Sequence, residues 1–290
     1  MRERVDPLIA ERAPWIYRKG PHYRMVRGLL HLMLGYDKTV EIAEQIERLS
    51  APELMDALAD MIAHNVDISG LEHIPATGPA MVVSNHPTGI ADGIILWAAL
   101  RKRRPDLFYF ANRDAIRVMP QLADMIAPVE WREDKRSHGS NRETLTYASN
   151  AIKEGRLAVL FPSGRLAKRR GLKLYERPWM PSAAVLARKY QLPVVPLHIT
   201  ARNSVLFYLF DALHPTLRDI TLFHEVINKA EHSFRISVAK PMDGAALSRD
   251  AKAATETLYQ ATMRAGKAGD YSVLIPRQRR GVPHKTALGG

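Results

Sequence analysis

The stretch Val82–Leu96, VVSNHPTGIADGIIL, is apolar at both ends and polar in the middle. Residues 80–84, AMVVS, form a short apolar run rich in valine, the pattern of a buried strand. From Ala91 onward, Ile94, Ile95 and Ala98 fall on one side of a helical wheel. Between the two, Pro87 and Gly89 shape a tight turn. His86 therefore lies just past a strand end, and Asp92 opens or caps the following helix. Ligand sites in α/β sheets favour the carboxyl ends of strands. A carboxylate that orients an imidazole makes it a general base, and no serine or cysteine nucleophile is needed when the substrate brings its own hydroxyl or amine. On the residues alone, a helix cap beside a turn histidine is an equal alternative.

Outward from this stretch, short apolar runs alternate with helical patterns. The strand candidates are 80–84, 107–111, 157–161, 193–199, 219–223 with its flanks, and 233–239. Helical patterns lie between several of them, as in Asn141–Glu154 and Pro181–Tyr190. This alternation predicts an α/β fold, a mixed sheet flanked by helices. Residues 1–65 read as an N-terminal helical segment. Val26, Leu29, Leu30, Met33 and Leu34 keep helical spacing and are expected to pack in a core. Ser50 followed by Glu53 has the form of a capping box. Residues 66–245 are expected to form the α/β core, and 246–290 a C-terminal helix with a loosely ordered basic tail.

The chain has 290 residues, a net charge of +12 and no cysteine. The absence of cysteine excludes disulfides, thiolate metal sites and a cysteine nucleophile. The basic excess favours anionic partners. The first residues, MRERVDPLIAERAPW, contain no apolar run of the signal-peptide kind, and no window of the sequence is apolar enough to suggest a membrane span. Any membrane contact is expected to be peripheral, on the cytoplasmic face. Arg18, Lys19, Arg24 and Arg27 beside the apolar stripe offer one such face. The run Arg101–Arg104 reads as a solvated helix end, whereas RLAKRRGLK, 165–173, directly follows a motif and reads as functional. FHEVIN, 223–228, has Asn228 where a second zinc-binding histidine would stand, so no metal site is expected there.

NHPTGIADG, 85–93, resembles the first block of the glycerolipid acyltransferase family, in which His and Asp are usually separated by four residues. Here five residues intervene, a spacing that resembles a hemolysin-like branch. FYFANRDAI, LAVLFPSGR and LPVVPLHI resemble the second, third and fourth blocks in order, and the likeness covers roughly residues 67–240. The resemblance implies catalytic His86 and Asp92, with Arg113 at a basic substrate-binding position. In the third block Ser163 stands at the usual Glu, and Arg165 comes one residue early. Ser163, Gly164 and Arg165 are then candidates for the acceptor site, through turn N–H groups and a guanidinium. The implied donor is an acyl thioester on coenzyme A or acyl carrier protein, with no further cofactor and no metal. The implied acceptor is a lyso-lipid or phosphorylated molecule, and an anionic membrane surface is the expected partner. A family member that binds lipid or a partner without catalysis is the alternative. Nucleic-acid binding rests on charge alone and is not expected.

Overall fold

A computed structural model describes residues 1–130, 137–267 and 273. The basic tail from Pro276 onward lies outside the described residues.

Four helices lead: α1 (Arg2–Arg12), α2 (Pro21–Met33), α3 (Tyr36–Ile46) and α4 (Ala51–Ile62). The Ser50–Glu53 capping box forms, with Glu53 accepting the Ser50 N–H at 2.9 Å and the hydroxyl at 2.6 Å. Then come β1 (Val66–Ser69), β2 (Ala80–Ser84), α5 (Ile90–Leu100), β3 (Leu107–Asn112), α6 (Asp114–Val118), β4 (Ile126–Val129), α7 (His138–Lys153) and β5 (Leu157–Leu160). A small hairpin follows, β6 (Lys168–Arg170) and β7 (Lys173–Tyr175). The chain continues through α8 (Ser182–Lys189), β8 (Pro193–Thr200), α9 (Val205–Leu213), α10 (Pro215–Ile227), β9 (Phe234–Val238), β10 (Met242–Asp243) and α11 (Ala251–Ala265).

The main sheet has the order β1-β9-β8-β2-β5-β3-β4, with β10 on β8. β8, β2, β5, β3 and β4 are mutually parallel, and β9 and β10 meet β8 antiparallel. The fold is therefore a mixed α/β sheet covered on both faces. The period of two along a strand explains the two cores. Val82, Leu157 and Val159 join Leu54, Ile94, Ile95 and Trp97 of α4 and α5 on one face. Met81, Val83, Ala158 and Leu160 join Ala148 and Ile152 of α7, Leu186 of α8 and Leu258 of α11 on the other. Central strands buried on both faces read as near-continuous apolar runs, as AMVV of β2 and LAVL of β5 do.

Three expectations are corrected. Residues 219–223 are not a strand: they lie within α10, which opens with His214 as cap and Pro215 in its first turn. A short apolar run rich in β-branched and aromatic residues carries no decisive period, and here the Pro start wins. The stripe in α2 is not a core face throughout. Leu30 and Leu34 are buried with Phe210 and Ile220, but Leu29 and Met33 are exposed, as are Met25 and Leu32. The helix stops before Gly35, which takes φ +59°, so the stripe cannot run on into α3 on one face. Third, Arg101–Arg104 is not simply a solvated run. Arg101 pairs with Asp56 and Asp60, and Arg103 donates to the Ile74 and Glu72 carbonyls. Arg104 is buried, gripping Asp106 with two bonds of 2.7 Å and donating to the Pro75 and Gly155 carbonyls.

Candidate active site

Because β2, β5 and β8 are parallel neighbours, the chain leaves all three on the same edge of the sheet, at Ser84, Leu160 and Thr200. The loops that follow bring together residues 85–89, 161–167 and 201–204. Asn85 ties the first loop to β8: its amide donates to the Ile199 carbonyl at 2.9 Å and its oxygen accepts the Ile199 N–H at 2.7 Å. The Ala167 N–H donates to the His86 carbonyl at 2.9 Å, which ties it to the loop after β5. His198, buried on β8, places Nε2 3.4 Å from the Asn85 amide.

His86 and Asp92 meet. His86 Nδ1 donates to Asp92 Oδ2 at 2.9 Å, with the imidazole 19% exposed and the carboxylate fully buried. The bond at Nδ1 fixes the tautomer and leaves Nε2 as the basic nitrogen. Phe161 stacks on the imidazole, centroids 4.2 Å apart and planes 22° from parallel, which limits ring rotation. Asp92 also accepts the main-chain N–H groups of Thr88 at 2.9 Å and Gly89 at 3.0 Å, and the Thr88 hydroxyl reaches its other oxygen. The helix-cap reading and the catalytic reading thus describe the same carboxylate: Asp92 closes the first turn of α5 and orients His86 at once. Gly89, in the turn between the two residues, takes φ +94°, which suits glycine.

The turn after β5 packs against this pair. Ser163 is buried and donates to the Arg165 carbonyl at 2.8 Å. The Gly164 N–H closes the turn on the Phe161 carbonyl at 2.9 Å, so that donor is occupied. Arg165 is exposed. Arg113 starts α6 at the end of β3, and its guanidinium pairs with Glu143 of α7 at 2.5 Å. β5 separates β3 from β2, a lateral offset of roughly 10 Å. His86, Asp92 and Ser163 are therefore gathered in one cluster, and Arg113 sits to its side.

The principal residue that sequence reasoning missed is Glu176, just after β7. Its Oε2 accepts the His86 main-chain N–H at 3.2 Å, and its Oε1 accepts from Trp179 Nε1 at 3.1 Å. Burial pushes its carboxyl above the usual value, against the opposing pull of the His86 N–H and the Ser163 hydroxyl. Its one signal in the sequence is that it is the only acid between Arg165 and Arg177. Asn85 and Thr88, within the opening stretch, were likewise not singled out. Among the described residues, no group of three or more His, Asp or Glu side chains is arranged to hold a metal ion.

The acyltransferase family model matches residues 65–200, the span that carries these loops. A lyso-glycine lipid O-acyltransferase of Phocaeicola vulgatus is 22% identical over 82% of this chain and 85% of its own length. A lyso-glycine lipid O-acyltransferase of Bacteroides thetaiotaomicron is also 22% identical, over 70% of this chain and 72% of its own. The crystal structure of the 1-acyl-sn-glycerophosphate acyltransferase PlsC from Thermotoga maritima aligns over 83% of this chain and 96% of that one, with a TM-score of 0.49 and 14% identity. Residues 65–200 thus match the acyltransferase family, and the two relatives extend the likeness over most of the chain.

Proposed function

We propose that this protein transfers a fatty acyl group from a thioester, on coenzyme A or acyl carrier protein, to a hydroxyl of a lyso-lipid with an anionic head group. The observation that carries this reading is the His86 Nδ1–Asp92 Oδ2 bond of 2.9 Å at the carboxyl edge of the sheet. In the proposed mechanism, the acceptor oxygen attacks the thioester carbonyl as its proton passes to His86 Nε2. Asp92 stabilises the resulting imidazolium. Collapse of the tetrahedral intermediate breaks the C–S bond, and the thiolate takes the proton back from Nε2, leaving an ester and a free thiol. No protein nucleophile and no metal is needed. Exposed Arg165 supplies a bidentate partner for the acceptor's carboxylate or phosphate, and Arg113 extends the same basic side of the site. The names of the two relatives support a lyso-glycine lipid as the first acceptor to try.

The proposal includes peripheral attachment to the cytoplasmic face of an anionic membrane. No helix among the described residues is long and apolar enough to cross one. The exposed Met25, Leu29, Leu32 and Met33 on α2, with Arg24 and Arg27 on the same helix, match an interfacial helix.

The test is thiol release from long-chain acyl-coenzyme A and acyl carrier protein, wild type beside His86→Ala, over lyso-glycine lipid, lysophosphatidic acid and glycerol phosphate. Acceptor-dependent release that disappears in the variant supports the reading. Release that persists in His86→Ala, or no release with either donor, refutes it.

A further inference from the structure

Behind the carboxylate of the site lies a buried ion pair that the proposed chemistry does not use. Lys229 follows α10 in a short 3-10 turn, and Glu225 is in the last turn of α10. Both are buried, with Lys229 at 0% exposure and Glu225 at 1%. The pair lies beyond residues 65–200, so the family match does not account for it.

An ammonium has three N–H donors and no acceptor. All three find partners here: Glu225, the Arg202 carbonyl at 3.0 Å, and Asn203 Oδ1 at 2.9 Å. The bond to Oδ1 decides which way the Asn203 amide faces. Its NH2 group then points at the Thr88 carbonyl, 3.4 Å away. The Asn203 main chain is pinned as well, its N–H donating to the Tyr208 hydroxyl at 3.1 Å. Thr88 in turn holds Asp92 with its main-chain N–H at 2.9 Å and with its hydroxyl. A continuous line of contacts thus runs from Lys229 through Asn203 and Thr88 to Asp92 and ends on His86 Nδ1. Glu225 anchors the far end. It also accepts the Ser204 N–H at 2.9 Å, one residue beyond Asn203.

Fold stability does not by itself call for such a pair. Replacing a buried ion pair with apolar side chains of similar volume is often neutral or stabilising. A satisfied polar network does define one arrangement of the groups it touches. Here the group at its end is the carboxylate that orients His86.

We propose that Lys229 and Asn203 are positioning residues for the His86–Asp92 pair, acting through the Thr88 turn. The inference rests on the acyltransferase reading for its consequence on rate, but its geometric content is independent of that reading. Lys229 sets the amide orientation of Asn203, Asn203 holds the Thr88 carbonyl, and Thr88 keeps Asp92 in line with Nδ1.

The experiment compares wild type with Asn203→Ala and with the double variant Glu225→Met, Lys229→Met. The double variant avoids leaving one charge buried and unpaired. One readout is the downfield proton resonance of His86 Nδ1–H, assigned by its loss in His86→Ala. The other is the split between kcat and KM in the thiol-release assay. The expected result is loss of the resonance to solvent exchange in both folded variants, with kcat down about tenfold or more and both KM values within about twofold. A resonance retained in Asn203→Ala, or kcat within about twofold of wild type, overturns the proposal, as does a wild-type spectrum without the resonance. Should the double variant not fold, Asn203→Ala decides alone. If wild type transfers no acyl group, the proposed function fails, and the resonance still decides the inference.

Discussion

Glu176 accepts the main-chain N–H of His86 at 3.2 Å, across 90 residues of sequence. The contact exists because the hairpin after β5 folds back under the turn that follows β2. Ser163 occupies the usual place of a glutamate, and a carboxylate reaches the same neighbourhood from β7. It holds the histidine backbone, and the Ser163 hydroxyl acts on its carboxyl against the effect of burial.

Burial raises the Glu176 carboxyl, so the folded state binds its proton more tightly than the unfolded chain. Its contribution is therefore most favourable at low pH. It is lost as pH rises from the ordinary carboxyl value of 4.5 through the raised folded value. The expected outcome is a downward slope of unfolding free energy with pH in that window, absent from Glu176→Gln. Urea unfolding of both proteins at several pH values checks it. Identical slopes would show that Glu176 is not the titrating group.

His86 and Asp92 should separate stability from activity. His86→Ala is expected to abolish transfer while changing stability by less than about 1 kcal/mol, because the imidazole is partly exposed and Asp92 keeps its main-chain N–H partners without it. Asp92→Ala strands the N–H groups of Thr88 and Gly89 as well. It should cost at least about 2 kcal/mol besides abolishing transfer. Urea midpoints beside thiol-release rates decide the matter. Equal stability of the two variants would count against a dual role for Asp92.

Gly89 holds φ +94°, and an added Cβ would lie 2.8 Å from Leu166 Cδ2. Gly89→Ala should therefore destabilise by about 1–3 kcal/mol. It should also lower kcat, since the turn that relaxes carries Thr88 and so the Asp92 bonds. A variant with wild-type melting temperature and rate would refute this.

Arg165 is exposed, whereas the Arg113 charge is already met by Glu143. Arg165→Ala should raise the acceptor KM about tenfold, the loss of one charge-assisted contact, and Arg113→Ala distinctly less. Steady-state kinetics with an anionic lyso-lipid measures both. The reverse order would move the acceptor's head group toward β3.

Leu29 and Leu32 are 56% and 81% exposed on α2. Replacing both with serine should leave thermal stability unchanged and reduce sedimentation with anionic vesicles by several-fold. Undiminished vesicle binding would remove α2 from the membrane face.

Much of the fold was legible along the chain because local rules determine it. Residues 80–83 and 157–161 are apolar without a break, as strands buried on both faces tend to be. The Ser50–Glu53 box marks a helix start by chemistry confined to four neighbouring positions. Where local rules tie, the sequence misled. Residues 219–223 look like a strand, and only their packing as part of α10 against α5, α9 and the N-terminal helices decides otherwise. The His86–Asp92 pairing was legible for the same local reason: one tight turn links the two residues, so their meeting depends on little else.

The sequence by itself thus determined the alternation of strands and helices and the pair at the end of β2. Tertiary structure alone decided the rest of the site. Glu176, Asn203, Glu225 and Lys229 reach it from separate elements, and no periodicity connects them to His86. Their roles come from parallel strands ending at one edge and from a helix that buries a charge where only fixed polar partners can satisfy it.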